Sequence, residues 1–148
     1  MSEIILHQMI QIAKLQGYDV SLKPIHMRGA VVYLSIGLIE IETDPPIRAW
    51  RCDIWKEVNY STEKWKMIPV ITLAHELGHV FDYKHRPWAY TDPYDYNTWM
   101  SRMDIEMTAW DYAIRLLTIL GFQEWDLFDA IRAFCLENHL EIREEELT

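Results

Sequence analysis

The chain has 148 residues, half of them apolar and a quarter charged, which is enough for one globular domain with a real core. Its net charge of −9, without any basic stripe, argues against a nucleic-acid binder, because phosphate contacts need clustered Lys and Arg. No apolar run approaches ~20 residues, which excludes a membrane-spanning helix, and residues 1–8 lack the basic start and small-residue cleavage site of a signal peptide.

Residues 3–16 place Ile5, Met9 and Ile12 on one face with Leu6, Ile10 and Ala13 beside them, which predicts a helix closed by Gly17. Residues 18–25 and 30–43 change to β-type patterning. Val31, Val32, Leu34, Ile36, Leu38, Ile39 and Ile41 dominate the second stretch, Glu40 and Glu42 are expected to point outwards, and Gly29 and Gly37 mark turns or a bulge. After the break at Asp44-Pro45-Pro46, Trp50, Cys52 and Ile54 alternate with Arg51 and Asp53 and predict one more short strand, followed by a connection over 59–66.

Val70, Leu73, Ala74, Leu77 and Phe81 then recur at helical spacing and predict a helix over 68–84, with Pro69 in the first turn, where its missing N–H costs nothing. Residues 84–97, rich in Pro, Tyr, Asp and Trp, read as an ordered loop. A long helix follows over 98–120, with Asn97 as its N-cap and Gly121 as its stop. The last helix, over 123–138, is amphipathic on Trp125, Phe128, Ile131 and Phe134, and the acidic end over 140–148 reads as a frayed tail. The predicted class is α+β in one domain spanning 1–148: an N-terminal helix, a sheet of three to four strands, and three further helices. The two cysteines, Cys52 and Cys135, lie far apart and read as reduced thiols of a cytoplasmic protein.

Within the 68–84 helix stands His75-Glu76-Leu77-Gly78-His79. Histidines four apart share one helix face, so both imidazoles can converge on one metal ion, while Glu76, one step round, can take a proton from the metal-bound water. Zinc lowers the pKa of that water towards ~7, which makes a carboxylate a sufficient base. This H-E-x-x-H pattern is the signature of zinc metallopeptidases.

A catalytic zinc takes three protein ligands and keeps one position open, and two residues compete for the third place. Glu106 sits amid Trp99, Met103, Trp110, Ala113 and Leu117, an inward stripe where a carboxylate is costly without a cation or partner. Ala109, one turn on, keeps that surface small enough for two helices to approach closely. His85 instead matches the spacing of H-E-x-x-H-x-x-G-x-x-H, except that Asp82 stands where that pattern needs a glycine turn.

H-E-L-G-H followed by Glu106-Met107-Thr108-Ala109-Trp110-Asp111-Tyr112-Ala113 resembles the compact zincin domain of the ImmA/IrrE type, whose pattern is H-E-x-x-H and then E-x-x-A-[N or W]-x-x-A. The lead-in Thr72-Leu73-Ala74 and the order helix, small sheet, metal helix, ligand helix are similar as well, and the resemblance covers about residues 3–120. Leu116-Leu117-Thr118-Ile119-Leu120 departs from the Leu-Leu-Met-Pro of many members, and no helix-turn-helix module is seen. The resemblance implies a zincin-like, gluzincin-type endopeptidase: Zn²⁺ held by His75, His79 and Glu106, Glu76 as general base, and a protein or peptide substrate such as a regulatory protein.

Tyr83, Tyr90, Tyr94, Tyr96 and Tyr112 are candidates for stabilising an oxyanion. Asp82, Asp104 and Asp111 are candidates for orienting the imidazoles, Asp111 foremost because it follows Glu106 closely. The strand region 30–43 offers an edge to an extended peptide. Two other functions fit the same residues: a zinc-containing, non-catalytic interaction protein of phage or mobile-element type, and a hydrolase of a non-peptide amide.

Overall fold

The structure, a computed structural model, describes residues 2–24, 30–43, 64, 66–91 and 99–147. It has the expected α+β character, with five helices and a three-stranded sheet among the described residues. Helix α1 (Ser2–Leu15) leads into β1 (Asp19–Lys23), β2 (Ala30–Tyr33) and β3 (Leu38–Glu42). Helices α2 (Ile68–His85), α3 (Pro87–Thr91), α4 (Trp99–Ile119) and α5 (Trp125–Leu147) follow. None of the described helices is long and apolar enough to cross a membrane. The strand expected over 50–54 and the connection after it lie outside the described residues.

Helix α1 buries Ile5, Met9 and Ala13 and ends where Gly17 takes φ +88°. The amide of Tyr18 donates to the Ala13 carbonyl at 2.9 Å and that of Gly17 to Lys14 at 3.0 Å, a pair of bonds that needs a left-handed residue at Gly17. Gly121 ends α4 in the same manner.

In the sheet, β3 is central, parallel to β1 and antiparallel to β2. The stretch 30–43 is therefore two strands joined at Gly37, whose φ of +67° makes it part of a turn. Ile39 and Ile41 face the helices and are fully buried. Glu40 and Glu42, expected to point into solvent, are buried too. Both faces of β3 are therefore covered, and Lys23 on β1, the diagonal neighbour of Glu40, closes an ion pair over it.

Helix α2 is the hub. Every residue from Ile68 to Ala74 and from Glu76 to Val80 is buried, because α1, β2, β3, α3 and α4 all pack against it. An amphipathic stripe was the expectation, yet a helix enclosed all round is the observed result. The buried hydroxyl of Thr72 donates to the Pro69 carbonyl at 3.2 Å. The segment 84–97, expected as a loop, begins instead with the last residues of α2 and the short helix α3. At the other end α5 continues through the acidic tail to Leu147, where Glu, Leu and Arg are strong helix formers.

Helices α2 and α4 form the most extensive contact between elements among the described residues. At its centre is Gly78: a Cβ placed there would lie 2.1 Å from the backbone oxygen of Ala109. Any side chain at 78 would push backbone from backbone, since no flexible group is available to move aside. Gly78→Ala is expected to destabilise the fold by about 3 kcal/mol, the upper range of overpacking, seen as a lower urea midpoint at unchanged slope. A midpoint within error of wild type would show that the helices are not in contact there.

Candidate metal centre

The closeness of α2 and α4 brings three side chains together. His75 and His79 project from one face of α2, and Glu106 meets them from α4 one turn before Ala109. Glu106 Oε2 lies 2.8 Å from His75 Nε2, and Glu106 Oε1 lies 3.2 Å from His79 Nε2. The three ligand atoms all fall within 4.8 Å of one another. Two ligands at about 2.1 Å from one tetrahedral ion sit about 3.4 Å apart, so this spacing fits a shared cation. The donor set, two imidazole nitrogens and a carboxylate, suits zinc and other borderline divalent ions.

The surroundings hold each ligand in place. The His75 ring lies flat on Trp110, with centroids 4.2 Å apart and planes 10° from parallel, and Trp110 in turn meets Phe128 edge-on. The other nitrogen of His79, Nδ1, is 3.0 Å from the Tyr90 hydroxyl. That hydroxyl donates to Asp82 at 2.9 Å, and Arg86 clamps Asp82 through Nε at 2.6 Å and Nη2 at 2.9 Å. Arg86 also reaches Asp104 on α4 at 2.7 Å. Glu76 is buried, with Oε1 3.5 Å from His75 Nδ1.

Electrostatically the cluster asks for a cation. Burial disfavours a charged imidazole, yet Glu106 and Glu76 outweigh it, and with a proton as the only cation His75 is pushed up to about 10. Burial, then the charge of Asp82 and the hydrogen bond to it, raise the Tyr90 hydroxyl well above its usual value, so it keeps its proton. Cys135 on α5 feels the same two glutamates: burial first, then Glu106 and Glu76, push its thiol up to about 12. It stays a thiol, and Cys52 lies outside the described residues.

His85 does not join the cluster. Position 82, where the competing pattern needs a glycine turn, is helical, so α2 continues straight to His85 and carries it onto Tyr112, ring centroids 6.3 Å apart and planes 2° from parallel. Asp111, expected to orient an imidazole, is exposed. Five residues place it ~140° round α4 from Glu106, away from α2. Asp82, on α2 itself, reaches His79 through the Tyr90 hydroxyl, and Asp104 bonds Arg86. Tyr83 packs edge-on against Tyr90, and Tyr94 and Tyr96 lie outside the described residues. Asp82 was accessible to sequence reasoning because it is three residues from His79 on a helix. The partnership with Tyr90 was not, because no local spacing links them.

Zinc content separates the two ligand sets: purified wild type and His85→Ala are expected to hold about one zinc per chain by elemental mass spectrometry, and Glu106→Ala to lose it. Zinc retained by Glu106→Ala and lost from His85→Ala would place the third ligand at His85. No family model, curated protein or solved structure matches this chain.

Proposed function

We propose that the protein is a zinc-dependent metallopeptidase with a zincin-like fold resembling the ImmA/IrrE-type domain, acting on a protein or peptide substrate in the cytoplasm. The observation that carries this reading is the convergence of His75 Nε2, His79 Nε2 and the Glu106 carboxylate from two helices onto one point, with Glu76 next in the chain to the first of them. A purely structural metal site needs four closed ligands and no base, whereas three ligands plus a carboxylate is the equipment of a catalytic one.

In this reading His75, His79 and Glu106 hold the ion. When bound, zinc supplies a Lewis acid that polarises the scissile carbonyl and lowers the pKa of a coordinated water. Glu76 accepts the proton of the attacking water on its carboxylate and delivers it to the leaving amine. Trp110 holds the His75 ring in plane, so the ring cannot tilt away as charge develops beside it. A ferrous oxygenase also uses two histidines and a carboxylate, but it has no task for Glu76.

Glu76→Gln tests the assignment. The variant is expected to keep about one zinc per chain while cleavage of a quenched-fluorescent random peptide library falls about 10²- to 10⁴-fold. Cleavage at the wild-type rate by zinc-loaded Glu76→Gln would contradict the role of Glu76. A zinc-loaded wild type that cleaves nothing would favour the non-catalytic interaction protein.

A further inference from the structure

The hydrogen-bond chain behind His79 has a direction, and that direction decides what His79 can bind. Arg86 donates to both oxygens of Asp82, at 2.6 and 2.9 Å, which holds Asp82 as a carboxylate that only accepts. The Tyr90 hydroxyl has one proton, and it goes to Asp82 Oδ2 at 2.9 Å. Its oxygen is left facing His79 Nδ1 at 3.0 Å and can act there only as acceptor. The Nδ1 nitrogen therefore carries the imidazole proton. A neutral imidazole has one N–H, so the lone pair is at Nε2, the atom aimed at Glu106 Oε1.

We infer that Tyr90 and Asp82 are positioning residues that lock His79 in the Nδ1–H tautomer, leaving Nε2 free to bind a divalent cation. The inference rests on the metal-site reading above and deepens it. Tyr90 arrives from α3, a separate five-residue helix that packs on α2, so the tautomer of a ligand on one helix is set by another. Asp82 is almost wholly buried, at 1 % exposure. A buried carboxylate is costly, and Arg86 alone would have satisfied it at the surface; its inward placement serves Tyr90. The T-shaped contact of the Tyr90 ring with His79, centroids 6.0 Å apart, would survive loss of the hydroxyl, so chemistry and packing can be separated.

The experiment compares zinc affinity, by chelator competition, for wild type, Tyr90→Phe, Asp82→Asn and Asp111→Ala. Tyr90→Phe is expected to bind zinc about 10- to 100-fold more weakly, the usual cost of removing a hydrogen-bond partner from a ligating histidine. Asp82→Asn should lose at least as much: its amide can donate to Tyr90, which turns the Tyr90 proton onto His79 Nδ1 and moves the imidazole proton to Nε2. Asp111→Ala removes an exposed carboxylate of α4 that stands outside this hydrogen-bond chain and should leave the affinity unchanged. A second readout is long-range ¹⁵N–¹H NMR of the metal-free protein, where His79 Nδ1 should carry a proton in wild type and lose it in part in Tyr90→Phe. A Tyr90→Phe protein that binds zinc as tightly as wild type, or keeps His79 wholly Nδ1–H, overturns the inference. A wild type that binds no zinc would instead sink the metal reading, while the NMR comparison still decides the tautomer.

Discussion

The close approach of α2 to α4 at Gly78 and Ala109 sets where His75, His79 and Glu106 can meet. A backbone oxygen occupies the space a side chain would take at 78, so the two helices meet at the smallest separation their residues allow. The pairings advance in step along both helices. His75 meets Glu106 and Trp110, Gly78 meets Ala109, and Phe81 and His85 meet Tyr112. With a bulkier residue at 78 or 109, the Glu106 carboxylate would stand off from the imidazoles by more than a metal–ligand bond can bridge. Packing and site geometry are thus one feature: the small residue that permits the contact lies inside the H-E-x-x-H motif itself.

Enclosure of α2 follows from the same arrangement. Sheet, α1, α3 and α4 surround it, which removes water from around His79, Glu76 and Asp82. In that setting a buried polar group needs a partner, and the observed bonds link His79 to Tyr90, Tyr90 to Asp82, and Asp82 and Asp104 to Arg86, which donates to both carboxylates. On the other side, stacking on Trp110 fixes His75 by shape instead of hydrogen bonding. Two ligands four residues apart are therefore oriented by different physical means.

Much of the site could be read from the residues, for reasons that also mark where such reading stops. The histidines four apart on a helix define a face, and Glu106 stood out because a carboxylate on an apolar stripe needs a cation or partner. Gly17 and Gly121 closed their helices where periodicity ended. What failed was information that local spacing does not contain. Alternation along β3 separated Glu40 from Ile41 correctly, but it cannot say that both faces of a central strand are covered. Asp111 was chosen by nearness in sequence, and helical angle carries it away from Glu106. Residues 87–91 looked like loop because Pro, Trp and Tyr are not strong helix formers, yet a single turn suffices to bring Tyr90 to His79.

The central claim is that α2 and α4 converge on one metal ion through His75, His79 and Glu106. Anomalous diffraction at the zinc edge from crystals of the zinc-loaded protein tests it most directly. One ion is expected, bonded to Nε2 of both histidines and to a carboxylate oxygen of Glu106 at about 2.0–2.2 Å. An ion held elsewhere, with His85 in place of Glu106, or no ion at these three residues would contradict it.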